Sequence, residues 1–246
     1  MSTAAVATTF LSKLSTREDV AEGTMAFRFE KPEGWTFIAG QFIDMTLLNP
    51  PETDKEGNTR TFSIASAPQD DLFMVATRMR DTAFKRVLQR LPIGTAVKIE
   101  GPSGTLTLHD DTTRAAVLLA GGIGITPFRS MLRCATKENR PHRLILFYSN
   151  RRPEDAPFLD ELQALERDNP HYTLIATMTD MAQSQRAWSG ETGLLTKEKL
   201  ATYAKHAALP VYYIAGPPKM VKGLQTMLRE IGIDDEDIRA EEFAGY

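Results

Sequence analysis

The chain has 246 residues, of which 42% are hydrophobic and 25% are charged, as expected for a folded protein of one large or two average domains. Its formal net charge of −3 is too close to neutral to indicate nucleic acid or an acidic membrane as a partner. No segment approaches the ~18 apolar residues of a membrane span, and the N-terminus lacks the features of a secretory signal. The composition therefore predicts a cytoplasmic protein.

The cysteine and histidine content argues against metal chemistry. Cys134 is the single cysteine, so the chain can form neither an internal disulfide nor a cysteine-ligated iron–sulfur cluster of its own. The four histidines are scattered without metal-ligand spacing, and no metal site is predicted. Cys134 falls within a predicted helix, where we expect it to pack in the core.

The first part of the chain has the pattern of an antiparallel β structure. Short apolar or alternating runs, separated by glycine and proline, indicate strands at 24–32, 41–48, 60–66, 72–80 and 95–102. One helical segment, 82–91, interrupts them. This pattern predicts a Greek-key antiparallel β-barrel domain over residues 1–110.

The pattern changes at a polar stretch near 109–113, where we place the domain boundary. Strands predicted at 115–120, 143–149, 172–178, 211–216 and 238–243 now alternate with helices predicted at 126–139, 158–168, 197–206 and 218–232. The first of these strands is apolar throughout, as in a parallel strand covered on both faces. Residues 111–246 are therefore predicted to form a doubly wound parallel α/β sheet.

Two strand-to-helix turns in the second half have the composition of nucleotide-binding turns. Gly121, Gly122 and Gly124 follow the first strand, with Thr126 as the expected N-cap and Pro127 at the first helical position. The spacing departs from the standard dinucleotide fingerprint, so a tight turn without a ligand is also possible. A second turn follows the fourth long strand and includes Gly216, Pro217, Pro218 and Met220. Turns at the carboxyl ends of parallel strands can share one ligand crevice.

Three segments together, 60–63 (RTFS), 121–127 (GGIGITP) and 215–220 (AGPPKM), resemble the ferredoxin–NADP reductase superfamily in sequence, order and spacing. The resemblance covers essentially the whole chain. It implies a flavoenzyme that transfers a hydride from NAD(P)H to N5 of FAD. Single electrons would then pass to a separate acceptor.

The resemblance assigns the flavin site residue by residue. Arg60 would bind the FAD pyrophosphate, Phe62 would pack on the isoalloxazine ring, and Ser63 would hydrogen-bond near N5. Tyrosine is usual at the position of Phe62, and an alternating strand could equally bury Phe62 as a core residue. Thr82 could also cap the helix without contacting a ligand. The further candidates for the FAD site are Thr61, Ala76, Thr77, Arg78, Arg80, Asp81, Thr82, Thr126, Phe243 and Tyr246.

The C-terminal residues resemble family termini that reach back over the flavin. Tyr246 is the candidate gate, which must move for nicotinamide to enter, and Phe243 is a candidate wall. A frayed end is the alternative. Ser63 and Tyr246 are the two candidate catalytic residues.

The resemblance places nicotinamide dinucleotide against the two glycine turns. Ala215 stands where the family often has cysteine, so no acid or base is expected there. After the second parallel strand, Ser149 with Arg151 or Arg152 could hold the 2′-phosphate, which favours NADPH over NADH. The alternative is that both arginines pair with the acidic residues that follow them.

The sequence leaves several electron acceptors open. A basic stretch at 78–90 could steer an acidic ferredoxin or flavodoxin, or it could be a solvated face with some arginines on FAD phosphates. An oxygenase component is a third protein acceptor. Two other functions stay open: a two-electron reductase of free flavin, quinone or ferric chelate, and a non-catalytic docking or regulatory subunit. The oligomeric state is also open, and a monomer would suffice.

Overall fold

The first half of the chain forms a closed antiparallel sheet. The structure, a computed structural model, describes residues 7–243. The strands follow the spatial order β4-β3-β6-β1-β2-β5, and every neighbouring pair is antiparallel. A bridge between Ile64 and Val75 joins the end of β4 to β5, which confirms the predicted barrel. The elements are β1 (Thr8–Ala21), β2 (Thr24–Glu30), β3 (Phe42–Leu47), β4 (Thr59–Ser63), β5 (Leu72–Arg78), α1 (Ala83–Arg90) and β6 (Ala96–Ser103).

The sequence pattern missed β1, which is the longest strand of the barrel. It pairs with β6 through residues 8–13 and with β2 through residues 14–21, so it lies in the middle of the sheet. Only Ser12 and Leu14 of its fourteen residues are fully buried. Because most of the strand faces solvent, its sequence lacks the apolar alternation by which the other strands are identified.

The second half is the predicted parallel sheet, and its strands lie in the order β10-β9-β8-β7-β11-β12. All residues of β7 are buried, since helices cover both faces of the sheet. A two-residue edge strand, β10, was not predicted. The elements are β7 (Ala116–Gly121), α2 (Ile125–Lys137), β8 (Leu144–Asn150), α3 (Leu159–Asp168), β9 (Tyr172–Met178), β10 (Glu191–Thr192), α4 (Lys197–Ala204), β11 (Val211–Gly216), α5 (Pro218–Glu230) and β12 (Ile238–Glu242). Within residues 7–243, none of the helices has the length and apolar character needed to cross a membrane.

Helix α2 joins the two halves. The hydroxyl of Ser130 donates to the carbonyl of Ser66 over 2.6 Å. Arg129, only 4% exposed, donates to the carbonyl of Ala65 over 2.6 Å and forms an ion pair with Glu161 at 2.8 Å. Both carbonyls belong to the barrel segment that follows β4. Buried polar groups paired in this way fix the position of one half on the other.

The segment that connects β6 to β7 is held by a second buried contact. The backbone N–H of His109 donates to the hydroxyl oxygen of Tyr213 over 2.9 Å. The ring Nε2 of His109 faces the carbonyl of Arg114, so it carries the proton, and Nδ1 accepts from the Tyr213 hydroxyl at 2.8 Å. Burial lowers the pKa of His109, which agrees with a neutral ring. The connection is therefore anchored to β11.

We expect Glu161→Ala to lower the free energy of unfolding by about 3 kcal/mol, because it leaves the buried guanidinium of Arg129 without its carboxylate. Arg129→Met leaves no buried guanidinium without a partner, so it should lower the free energy of unfolding by less than Glu161→Ala does. Urea unfolding measures both. Asp160→Ala is the matched control: its partner Arg186 is half exposed, so the loss should not exceed about 1 kcal/mol. An equal loss in Glu161→Ala and Asp160→Ala would contradict the role given to the buried pair.

Candidate active site

A cleft of about 620 Å³ opens where the barrel meets the parallel sheet. Pockets for small molecules and cofactors commonly measure ~300–1,000 Å³. The barrel contributes residues around β4, β5 and α1, and the second half contributes the turn after β7 and the end of β12. The lining residues are Phe42, Glu56, Arg60, Thr61, Phe62, Ser63, Ala76, Thr77, Arg78, Arg80, Thr82, Lys85, Ile123, Thr126, Glu241, Glu242 and Phe243.

Four of the lining side chains are basic: Arg60, Arg78, Arg80 and Lys85. Arg60 lies on β4 and Arg78 ends β5, while the other two flank the start of α1. The ammonium of Lys85 donates to the carbonyl of Arg78 over 2.6 Å. Burial, with the nearby charges of Arg80 and Arg60, lowers the pKa of Lys85 to about 8. A cluster of this kind suits the oxygens of a phosphate group.

Two carboxylates from the loop between β3 and β4 contact the same region. Asp54 accepts from the backbone N–H of Ala83, the first residue of α1, over 2.9 Å, and this hydrogen bond holds its pKa below the usual range. Arg60 forms an ion pair with Glu56 at 2.9 Å, and its guanidinium lies 3.6 Å from Asp54. The helix N-terminus and Arg60 are thus both arranged to receive anions.

The apolar part of the cleft is formed around Phe62, which is 8% exposed. Its ring lies 5.9 Å from that of Phe84, tilted by 39°. Phe62 therefore belongs to the barrel core and also presents a surface to the cleft. Ser63 and Thr126, from opposite halves of the chain, are both buried and line the same cleft. The two halves thus meet beside the aromatic ring.

The two glycine turns touch each other, because β7 and β11 are neighbouring strands. A Cβ on Gly124 would lie 2.2 Å from the carbonyl oxygen of Ala215, and one on Gly121 would lie 2.2 Å from the sulfur of Met220. A larger residue at Gly124 would push the two turns apart, because it would meet backbone, whereas at Gly121 it would meet the flexible side chain of Met220. The two turns are thus in backbone contact at Gly124, and the shared ligand crevice stays a prediction.

The start of α2 differs from the sequence prediction. A 3₁₀ turn, Gly122–Gly124, precedes the helix, whose N-cap is Gly124, so the assignment of Thr126 as N-cap was wrong. The Thr126 hydroxyl instead donates to the carbonyl of Ile123 over 3.0 Å. Pro127 is accordingly the third residue of the helix. The positive φ of Gly122, +53°, lets the chain enter the helix earlier than a threonine cap would.

The loop after β8 separates the two candidate arginines. Arg152 forms ion pairs with Asp155 at 2.9 Å and with Glu22 of the barrel at 2.6 Å. The alternative weighed for this residue, pairing with nearby acids, is thus what the geometry shows. Arg151 is exposed, and within the described chain its side chain forms no ion pair. Ser149 lies at the end of β8, opposite Gly121 on β7.

Strand β12 and the residue after it bring Glu241, Glu242 and Phe243 to the cleft. The strand runs beside β11, with Glu241 opposite Ala215, and the backbone N–H of Phe243 donates to the carbonyl of Gly216 over 2.9 Å. Burial raises the pKa of Glu241. Phe243 lines the cleft, whereas Tyr246 lies outside the described residues, so its role as a gate stays a prediction.

Most of the sequence-derived candidates for the flavin site line this one cleft. Thr82 also caps α1 by accepting from the N–H of Lys85. Asp81 is the exception: it pairs with Arg86 and is 89% exposed. Within the basic stretch at 78–90, three cations thus face the cleft, while Arg86 is neutralised by Asp81 and Glu52.

The sequence reasoning missed six lining residues, and only some of them had a signal. Lys85 follows the cap residue by one helical turn, and Ile123 lies inside the glycine turn. The others reach the cleft only through strand pairing or loop packing. The six are Phe42, Glu56, Lys85, Ile123, Glu241 and Glu242.

Comparison with protein families matches both halves. Residues 11–108 match the model of the oxidoreductase FAD-binding domain, and residues 118–226 match that of the oxidoreductase NAD-binding domain. The chain is 29% identical over 225 residues to ferredoxin–NADP reductase B of Sorangium cellulosum, covering 87% of this chain and 89% of that relative. It is also 29% identical over 221 residues to the reductase component of the naphthalene 1,2-dioxygenase system of Pseudomonas putida, covering 88% of this chain and 62% of that longer protein.

Solved structures show the same fold. A ferredoxin NADP⁺ reductase from Neisseria gonorrhoeae, solved with bound FAD and NADP, aligns with a TM-score of 0.78 at 22% identity, over 95% of this chain and 98% of its own. A cytochrome P450 reductase from Amycolatopsis aligns with a TM-score of 0.81 at 19% identity, over 96% of this chain and 70% of its own.

Proposed function

Because the chain belongs to the ferredoxin–NADP reductase superfamily and is an FAD- and NAD(P)-binding oxidoreductase, we propose that it transfers a hydride from NADPH to FAD and then passes single electrons to a separate redox protein. In this proposal residues 1–110 hold FAD and residues 111–246 hold the dinucleotide. The observation that carries it is the cleft, which groups basic, aromatic and hydroxyl side chains from both halves.

The residues of the cleft fit the two ends of FAD. Arg60, Arg78, Arg80 and Lys85 would bind the pyrophosphate, together with the N–H groups at the start of α1. Phe62 would contact the flavin ring, and Ser63 would donate a hydrogen bond close to N5. The remaining barrel candidates, Thr61, Ala76, Thr77 and Thr82, would complete the wall of the flavin site. Asp81 would not contact FAD and would act through its ion pair with Arg86.

Bound FAD supplies a centre that accepts a hydride and releases electrons one at a time. The task of the chain would therefore be to orient the two cofactors and to exclude water. Phe62, Thr126 and Phe243, which line the cleft, would contribute to both. The touching glycine turns would hold the dinucleotide. The candidates there are Gly121, Gly122, Gly124, Pro127, Gly216, Pro217, Pro218 and Met220, and none of these eight lines the cleft itself. Ala215 offers no proton, which is compatible with hydride transfer because that step depends on positioning.

The two arginines after β8 would have different roles, and the ion pairs of Arg152 support this division. Arg151 is exposed and would bind the 2′-phosphate of NADPH, with Ser149 beside it. Arg152 would act indirectly, by holding the loop against Glu22 and Asp155. NADPH is the donor that this arrangement favours.

A redox protein is the acceptor that the relatives support. One relative is named as a ferredoxin–NADP reductase and another as the reductase component of a dioxygenase system. The described chain contains no group of three or more potential metal-ligating side chains. We propose a ferredoxin as the one-electron acceptor; a flavodoxin or an oxygenase component is an alternative.

We expect the purified protein to carry FAD and to reduce a ferredoxin or flavodoxin with NADPH in the steady state. Free flavin, a quinone and a ferric chelate serve as comparison acceptors, each at matched concentration. A higher kcat/KM for the protein acceptors supports the proposal. Rapid turnover with the small molecules alone would make the protein a two-electron reductase, and a colourless protein that takes up no flavin would make it a docking or regulatory subunit.

Arg151→Ala should raise the KM for NADPH about tenfold or more and leave the KM for NADH nearly unchanged, because only NADPH has the 2′-phosphate. Arg152→Ala is the matched variant. It should affect both donors alike, since it breaks the ion pairs with Glu22 and Asp155 that hold the loop. A selective loss of NADPH in Arg152→Ala but not in Arg151→Ala would reverse the assignment.

A further inference from the structure

The cleft contains a carboxylate among its cations. Glu56 lines it beside Arg60 and Lys85, and it forms an ion pair with Arg60 at 2.9 Å. Arg60 also donates to the carbonyl of Glu56 over 2.9 Å and to that of Gly57 over 3.1 Å. The guanidinium is thus held by the loop between β3 and β4 through both side-chain and backbone acceptors.

A second carboxylate of the same loop occupies the N-terminus of α1. Asp54 accepts from Ala83 N–H over 2.9 Å through one oxygen and from Glu56 N–H over 3.0 Å through the other. The backbone N–H of Gly57 donates to the carbonyl of Asp54, which closes the loop into a turn. The loop therefore places Glu56 on the lining of the cleft, and it places Asp54, which does not line the cleft, against the first N–H of α1 and 3.6 Å from the Arg60 guanidinium.

A phosphate oxygen and a carboxylate oxygen compete when both need the same donor. The donors in question are the Arg60 guanidinium and the Ala83 N–H, which are two of the groups that the proposed function assigns to the FAD pyrophosphate. We propose that Asp54 and Glu56 act as an internal competitor for the FAD phosphates and thereby set the affinity of the protein for its cofactor. This inference rests on the proposed function, because it presumes that FAD phosphates bind at Arg60.

The inference predicts that removing either carboxylate strengthens the binding of FAD. Glu56→Gln and Asp54→Asn should each lower the Kd for FAD about two- to fivefold, the size expected for partly exposed ion pairs. Combined, they should lower it about tenfold. Riboflavin has no phosphate, so its affinity should stay unchanged in every variant.

The loop itself provides the control. Glu52 pairs with Arg86 at 2.5 Å and does not line the cleft, so Glu52→Gln removes one charge from the same loop without freeing Arg60. It should leave the Kd for FAD unchanged. A gain equal to that of Glu56→Gln would show a general charge effect and would overturn the proposal.

The experiment is an equilibrium dilution of the holoenzyme, in which the fluorescence of released FAD gives the Kd for the wild type and each variant. Arg60→Ala is included because it should weaken FAD binding. Tighter binding in Glu56→Gln and Asp54→Asn, with riboflavin unaffected, supports the proposal. Unchanged or weaker FAD binding in both variants, while Arg60→Ala still weakens it, overturns this inference alone. If Arg60→Ala does not weaken FAD binding, or if the protein holds no FAD, both this inference and the proposed function are overturned.

Discussion

The site depends on the buried attachment of α2 to the barrel. Ser130 and Arg129 donate to the carbonyls of Ser66 and Ala65, which directly follow β4. Strand β4 also carries the side chains of Arg60, Phe62 and Ser63. The helix begins at the glycine turn, so the same contact that joins the halves fixes this turn opposite β4. An isolated barrel would present only one side of the cleft.

The neighbouring strands β7 and β11 impose the second constraint. Their glycine turns approach so closely that Gly124 has no room for a side chain beside the carbonyl of Ala215. Strand β12 then extends the sheet past β11 and brings Glu241 and Phe243 to the cleft. The second half thus lines the cleft with two apolar side chains, Ile123 and Phe243, one hydroxyl and the carboxylates of Glu241 and Glu242.

Much of this architecture could be predicted from the sequence, because its signals are local. Only a few consecutive residues are needed to identify the apolar run of β7, the turn glycines and the Arg-Thr-Phe-Ser segment. Strand β1 could not be identified in this way, since its long exposed stretches are ordered by pairing with β2 and β6 rather than by apolar periodicity. The N-cap of α2 was misplaced because the 3₁₀ turn, a tertiary feature of the glycine contact, starts the helix before Thr126.

The contacts of charged side chains were beyond sequence reasoning for the same physical reason. Glu56 reaches Arg60 through a turn, and Arg152 reaches Glu22 across the two halves of the chain. Neither distance in space can be derived from spacing in the sequence. Such contacts determine which of the two adjacent arginines forms ion pairs, and they place the Glu56 carboxylate inside a basic cleft.

The central claim is that nicotinamide and flavin meet in the cleft between the two halves. Anaerobic stopped-flow mixing of the FAD-loaded protein with NADPH, unlabelled or carrying deuterium at the transferred position, tests it most directly. The account predicts rapid loss of flavin absorbance that becomes severalfold slower with the deuterated donor. A flavin that neither NADPH nor NADH reduces would contradict the account.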